Sequence, residues 1–277
     1  MTSVKRFLST LFPQLSGAFR SYRQRTAMDK IAIATTPFGF RFGGHSEMQA
    51  GTFEPFEVEL IQHELKSAWG FLDIGANVGY YTCIARQMGK HVLAFEPVSD
   101  NLAHLYANIE ANGWTDIEVF PLGLSAAPGM ATIYNGATAA SLLPGWAGSS
   151  NNVQQTIALS TLDIILGERF ADKRFVAKID VEGAELGVIQ GALKTMARDL
   201  APVWLVEICL TEHHPGGRNP NFLETFGLFG EHGYSCWTVG PGARQIDKAD
   251  VTRWHTQGFV DKSDASGPRY PSYLFKK

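Results

Sequence analysis

The sequence has few of the residues and runs that mark several classes of protein. Its 277 residues include three cysteines, Cys83, Cys209 and Cys236, which are far apart and form no CxxC pair. This spacing indicates neither a zinc site nor a disulfide framework, and it predicts buried thiols in a reducing, cytoplasmic compartment. No apolar run reaches the roughly 18 residues of a membrane span. The formal net charge of -3 gives no basic footprint for nucleic acid.

The first 28 residues contain no acidic side chain, although they include five lysines and arginines. Apolar residues recur there at helical spacing, at Val4, Phe7, Leu8 and Leu11, which is typical of a basic amphipathic helix. The stretch is too short and too interrupted for a secretory signal peptide. Two interpretations stay open. The segment is either a helix packed on its own domain or a frayed terminus, or it makes peripheral contact with an anionic membrane.

From residue 51 onward, short apolar runs alternate with helical patterns, which indicates βαβ units around a mainly parallel sheet. The predicted strands cover residues 70–74, 91–95, 117–121, 175–179 and 203–208, with helices over 56–67, 80–88, 100–112, 183–196 and 221–232. Two last strands, 234–239 and 273–276, are separated by a polar loop. We therefore predict a doubly wound α/β domain over 51–277, mostly parallel with an antiparallel last strand. It follows a partly helical, basic extension over 1–50 and contains an insertion at about 130–160.

The first strand of the domain ends in a glycine-rich turn that carries a carboxylate. Gly75 and Gly79 permit a tight turn and close approach of a ligand to the backbone. Asn77 stands where the dinucleotide pattern GxGxxG has its second glycine, so a nicotinamide-dependent oxidoreductase is the weaker interpretation. Asp73 would repel a phosphate but suits a ligand with a sulfonium and an ammonium group. Glu96, after the second strand, can accept hydrogen bonds from both ribose hydroxyls. These features favour an adenosine ligand without phosphates.

Three segments resemble motifs of the FkbM family of methyltransferases: DIGANVGYYT at residues 73–82, FEP at 95–97 and KIDVEGAE at 178–185. The resemblance covers about residues 51–208. It implies a Rossmann-like methyltransferase fold and transfer of a methyl group from S-adenosylmethionine, usually to a hydroxyl oxygen. It also implies a small-molecule or glycan acceptor, such as a sugar or a secondary metabolite. A module that binds S-adenosylmethionine without catalysis is the alternative.

The resemblance also implies roles for individual residues of the cofactor site. By position, the methionine end of the cofactor would be bound by the turn that contains Asp73, Gly75, Ala76, Asn77 and Gly79. Glu96 would hold the ribose, Glu54 would close over the methionine, and Leu124 would lie near the adenine.

The acceptor is expected at the ends of the fourth and fifth strands. A sugar hydroxyl is a poor nucleophile until its proton is removed, so a general base or a metal ion must assist. Asp180 ends the fourth strand beside the cofactor and is predicted to orient or deprotonate the acceptor hydroxyl. Glu182 is a second catalytic candidate, expected to line the same pocket. His213 or His214 has the chemistry of a base at neutral pH, and each can equally be a solvated loop residue.

Two further features leave alternatives open. Asp180 and Glu207 could hold a divalent cation between neighbouring strand ends, since hard cations prefer carboxylate oxygens. Neither DxD spacing nor a third ligand is visible, so we do not predict a metal. Trp146, in the insertion, is either a platform for the acceptor or a lid residue packed on the core.

Overall fold

The structure is a computed structural model, and it describes residues 32–134, 140–148, 153–257 and 271–277. The first half forms, in order, β1 (Ala34–Thr35), β2 (Arg41–Phe42), α1 (Ser46–Ala50), α2 (Pro55–Leu65), β3 (Gly70–Ile74), α3 (Tyr80–Gln87), β4 (His91–Phe95), α4 (Ser99–Ala111), β5 (Glu118–Phe120), β6 (Gly123–Leu124) and β7 (Gly129–Tyr134). The rest forms β8 (Gln154–Ser160), α5 (Leu162–Leu166), β9 (Phe175–Ile179), α6 (Glu185–Gln190), α7 (Leu193–Met196), β10 (Val203–Glu207), α8 (Phe222–Glu231), β11 (Ser235–Thr238), β12 (Gln245–Ile246), α9 (Lys248–Gln257) and β13 (Ser272–Lys276). None of these helices is long and apolar enough to cross a bilayer.

Eight strands form the central sheet, in the order β12-β11-β13-β10-β9-β3-β4-β5. The five strands from β10 to β5 are parallel to their neighbours, whereas β13 pairs antiparallel with both β10 and β11. This arrangement confirms the predicted doubly wound, mostly parallel sheet with an antiparallel last strand. Because parallel strands end at one edge, the loops after β3, β4 and β9 meet there, where ligands bind in such sheets.

Apolar runs at the middle of the sheet explain why it is covered on both faces. Every residue of β3 and β9 is buried, as expected for parallel strands between two layers of helices. One face carries a core with apolar residues of α5, α6, α7, α8 and α9, and the other carries a core with residues of α2 and α3. Phe40, Phe42 and Met48 belong to the second core, so residues 40–48 pack against the domain.

A small three-stranded sheet, in the order β6-β8-β7, lies apart from the central one. β7 and β8 pair antiparallel from Gly129–Leu159 to Tyr134–Gln154, and the chain between them includes residues 140–148. Ile133 and Ile157 pack with Val98 in a separate apolar cluster, which ties this sheet to the loop after β4. The predicted insertion at about 130–160 covers β7 and β8, but its domain bounds stay a prediction.

The structure corrects two elements of the prediction. The helix expected over 183–196 is two short helices, because the Gly191 carbonyl oxygen accepts from Asp163 N–H at 3.0 Å and Thr195 N–H donates to Asp163 Oδ1 at 2.8 Å, instead of bonding to each other. The region between the last two strands contains β12 and α9 rather than only a polar loop. The predicted amphipathic helix of the first residues lies outside the described part of the chain.

Candidate active site

The turn after β3 has a left-handed backbone at three predicted residues. Gly75 has φ 86°, and a Cβ on it would lie 1.9 Å from the carbonyl oxygen of Asp180. Gly75 therefore lets the loops after β3 and β9 touch. Gly79 has φ 86°, and a Cβ there would lie 2.3 Å from Leu105 on α4. Asn77 has φ 51°, a conformation that asparagine adopts more readily than most residues.

Glu96 joins this turn to the end of β4. Its Oε2 accepts a hydrogen bond from the Asn77 backbone N–H at 2.8 Å, and its Oε1 accepts from Val98 N–H at 2.8 Å and Asn101 Nδ2 at 3.3 Å. Burial raises the pKa of Glu96 to about 7, although these hydrogen bonds favour the charged form. An ionised carboxylate has about four acceptor positions. Glu96 therefore keeps capacity for a hydroxyl donor.

A pocket of about 680 Å³, counted with its open mouth, lies between the loops after β3, β4 and β9. Six predicted residues line it: Gly75, Asn77, Glu96, Leu124, Asp180 and Glu182. Ile133, Leu142 and Ile157, which the sequence did not single out, form an apolar wall of the same pocket.

The side-chain oxygen of Asn77 bears on whether this pocket fits S-adenosylmethionine. This atom, Oδ1, is buried and has no hydrogen-bond partner among the described residues, so a donor from a ligand would satisfy it. A purine, a ribose and an amino group all provide such donors. The lining combines apolar residues with acidic ones, which matches a ligand that has both an aromatic base and a cationic sulfonium. The residues present therefore fit the cofactor that the sequence predicts.

Four other predicted cofactor residues lie outside the lining of this pocket: Glu54, Asp73, Ala76 and Gly79. Asp73 is 2% exposed and accepts a hydrogen bond from Thr82 Oγ1 at 2.6 Å, while burial raises its pKa to about 6. The Ala76 N–H donates to Phe95 O at 2.9 Å. These contacts tie the turn to α3 and β4. The structure shows these residues shaping the turn, and their contact with a cofactor stays a prediction.

A lysine lies among three carboxylates next to the pocket. Carboxylate oxygens of Glu54, Asp180 and Glu207 lie within 4.8 Å of one another. Lys178 Nζ is 2.6 Å from Asp180 Oδ2 and 4.0 Å from Glu54 Oε2. Burial lowers the pKa of Lys178, but the carboxylates outweigh burial and raise that pKa above its ordinary value. The ammonium group therefore stays charged and partly neutralises the cluster.

Glu54 reaches this cluster from the segment before α2 rather than from a strand end. Its Oε2 accepts a hydrogen bond from Tyr81 OH at 2.6 Å, and Lys178 Nζ lies 4.8 Å from the centre of the Tyr81 ring. Burial raises the pKa of Glu54 and raises that of Glu207 well above its usual range. Glu54 is the third carboxylate that the sequence did not reveal beside Asp180 and Glu207. A hard cation suits such a set, and Lys178 already supplies one positive charge to it.

Trp146 packs as a lid residue and does not offer an open platform. Its side chain is 2% exposed, and its Nε1 donates to Glu182 Oε2 at 2.5 Å. The ring makes an edge contact with His214, at 4.7 Å between centroids. Of the two sequence interpretations, the packed lid is the one the structure supports.

The two predicted histidines lie on the loop after β10. His213 is exposed, has φ 68° and stands outside the pocket lining, with its ring 5.8 Å from that of Trp146. Its carbonyl oxygen accepts from Ala147 N–H at 2.8 Å. His214 is 8% exposed, and burial lowers its pKa, as does its neighbour His213. A role for either ring in proton transfer stays a prediction.

Comparison with known proteins gives both structural and family matches. A structure of precorrin-6y C5,15-methyltransferase from Geobacter metallireducens is 10% identical over 79% of this chain and 88% of that chain, with a TM-score of 0.39. A SAM-dependent methyltransferase from Aquifex aeolicus is 12% identical over 69% and 88%, with a TM-score of 0.37. A search of curated proteins gives no significant match.

The family match covers the site itself. The methyltransferase FkbM domain matches residues 73–236, more than half of the chain. This range begins at Asp73 and includes Glu96, Asp180 and Glu207. The chain therefore belongs to the FkbM family of methyltransferases.

Proposed function

We propose that this S-adenosylmethionine-dependent methyltransferase methylates a hydroxyl oxygen of a sugar, a glycan or a secondary metabolite. The observation that carries the proposal is the position of Asp180. Asp180 lines the pocket that contains Asn77 and Glu96, and its carboxylate belongs to the cluster around Lys178. One residue thus joins the expected cofactor site to a polar site beside it.

The cofactor, when bound, supplies an electrophilic methyl group, and the protein must bring an acceptor oxygen to it in line. Asn77, Glu96 and Leu124 would hold the adenosine half, and the turn from Asp73 to Gly79 the methionine half. Glu54 remains the residue proposed to cover the methionine. These assignments follow from the pocket lining and from the family motifs.

Asp180 is suited to orient an acceptor hydroxyl. Lys178 donates to its Oδ2, which leaves Oδ1 without a hydrogen bond among the described residues. A hydroxyl that donates to Oδ1 gains negative charge on its oxygen, and the fixed ammonium of Lys178 holds the carboxylate in one position. His213 is a second candidate for removal of the proton.

The test is turnover of Asp180→Asn against a panel of simple glycosides and hydroxylated metabolites. Asparagine keeps an oxygen for Lys178 but loses the charge and the basicity. Turnover should fall by about 10²- to 10⁴-fold, with the affinity for S-adenosylmethionine in calorimetry almost unchanged. Asp172→Asn is the matched control, because that side chain is 78% exposed and pairs only with the adjacent Lys173 among the described residues.

Two results would contradict the proposal, and a third would exclude the second candidate base. Normal turnover by the Asp180 variant would remove that residue from the chemistry. A methyl group found on nitrogen or carbon of the product, by NMR, would overturn the acceptor class. Normal turnover by His213→Ala in the same assay would show that this histidine does not remove the proton.

A further inference from the structure

Residues 141–148 of the insertion are fastened to the turn after β9 through Glu182. Ser141 Oγ donates to the Glu182 carbonyl oxygen at 2.6 Å, and Trp146 Nε1 donates to the Glu182 carboxylate at 2.5 Å. The segment therefore binds both the backbone and the side chain of Glu182. Glu182 itself has φ 54°, an uncommon conformation for a glutamate, which these contacts help to hold.

Gly183 shows how closely the two segments fit. It has φ 96°, and a Cβ there would lie 2.6 Å from the Trp146 ring and 2.7 Å from Leu143 Cδ1. The Trp146 side chain thus fills the space that any other residue at 183 would occupy. On its other side, the Ala147 N–H donates to the His213 carbonyl oxygen at 2.8 Å. The segment is held between the loops after β9 and β10.

The fastened segment forms part of the pocket wall. Ala140 and Leu142 pack against Ile133 of β7 and Ile157 of β8, and all four line the same pocket as Asn77 and Glu96. The Leu143 N–H donates to Ser141 Oγ at 3.0 Å, so Leu142 lies inside a hydrogen-bonded turn. The position of this wall depends on the contacts at Glu182.

We propose that Glu182 is a positioning residue: it anchors the insertion over the pocket and sets the apolar wall of Ile133, Leu142 and Ile157 against the adenosine half of the cofactor. This inference rests on the proposed cofactor pocket and goes beyond it. It replaces the sequence prediction that Glu182 acts in catalysis with a role exerted through Trp146 and Ser141. Burial raises the pKa of Glu182 to about 8, so its side chain is mostly a neutral acid at pH 7.

The experiment compares four single variants by binding of S-adenosylhomocysteine in calorimetry, which needs no acceptor. Trp146→Phe keeps an aromatic six-membered ring but loses the five-membered ring with its N–H, and Glu182→Ala loses the acceptor; each should weaken binding by roughly 5- to 50-fold. Glu182→Gln keeps an oxygen for the indole and resembles the neutral acid, so it should restore most of the affinity. Trp69→Phe, a tryptophan 36% exposed at the opposite end of β3, is the matched control and should bind as the wild type does.

Two further readouts separate positioning from chemistry. With an acceptor, Glu182→Ala should raise KM for S-adenosylmethionine more than it lowers kcat. Its tryptophan emission should shift to the red, because Trp146 is 2% exposed when anchored, and the shift should be absent when Trp146→Phe is added. Wild-type affinity in Trp146→Phe would overturn the proposal. So would a Glu182→Gln variant that binds normally but has lost kcat, since that result makes the carboxylate catalytic. The first result is measured without an acceptor, so it depends neither on the acceptor class nor on Asp180.

Discussion

Glu96→Gln should remove a pH dependence from cofactor binding. Ribose hydroxyls donate to an ionised carboxylate, whereas burial raises the pKa of Glu96 to about 7 from the ordinary 4.5. The free protein therefore holds a proton on Glu96 below neutral pH, and that proton must leave before the ligand binds. The affinity for the ligand therefore rises as the pH rises through the raised pKa of Glu96, and it falls in acid.

The magnitude comes from the ionised fraction of Glu96. With a pKa of about 7, roughly 3% of the groups are ionised at about pH 5.5 and nearly all at about pH 8.5, so affinity should change about 30-fold over that window. Asp73, with a pKa of about 6, and the ligand amine also titrate there. The ratio of wild-type to Glu96→Gln affinity cancels both contributions. Calorimetry with S-adenosylhomocysteine at several pH values measures this ratio. A ratio independent of pH would refute the reasoning and separate Glu96 from the ribose.

Two more predictions concern stability and membrane contact. Gly75→Ala should destabilise the fold by on the order of 4 kcal/mol in urea unfolding, because its Cβ would lie 1.9 Å from Asp180 O. Gly89→Ala shares a positive φ but meets nothing within 4 Å, so it should cost only about 1–2 kcal/mol; equal costs would contradict the steric argument. The full chain should co-sediment with anionic vesicles at low salt, and a chain starting at Lys30 should not, since each basic residue near the surface contributes roughly 1 kcal/mol. Equal sedimentation of the two chains would favour the packed-helix interpretation.

The cofactor edge of the sheet could be predicted because local sequence determines it. A buried run followed by Gly75, Asn77 and Gly79 fixes where a parallel strand ends, and parallel strands end at one edge. Glu96 then had to lie beside that turn, as its hydrogen bond with Asn77 N–H at 2.8 Å shows. The antiparallel last strand was likewise confirmed. The turn and the place of Glu96 need no knowledge of distant contacts, whereas β13 is placed by pairs such as Trp204–Phe275.

Only part of the lysine–carboxylate cluster could be predicted from the sequence. Lys178 and Asp180 are two residues apart on one strand, and such residues face the same side, so their pairing had a signal in the sequence. Glu54 and Tyr81 reach the cluster from distant segments, and no local pattern places them there. The interpretation of Trp146 was open for the same reason, since Glu182, its partner, is 36 residues away.

α9 was missed although its start carries a recognisable signal. The Asp250 N–H donates to Asp247 Oδ1 at 2.9 Å, and the Asp247 N–H points back to Asp250 Oδ2 at 3.4 Å, which is a capping box. The helix has few apolar residues, of which Val251 and Trp254 are buried. The apolar periodicity of this segment is too weak to predict a helix, although the capping box marks where the helix begins.

The place of β13 bears on when the protein can fold. Among the described strands, β11 and β12 join the sheet only through β13, because Ser235–Thr238 pairs with Ser272–Lys276 and not with β10. On the ribosome, β11 is synthesised more than 30 residues before its partner, and it stays without that partner until Lys276 has emerged from the exit tunnel. The half of the sheet that holds the pocket needs no such delay, since β3, β4 and β9 pair among themselves. Synthesis therefore allows the cofactor half of the sheet to form first, while β11 stays unpaired with the sheet until β13 has been made.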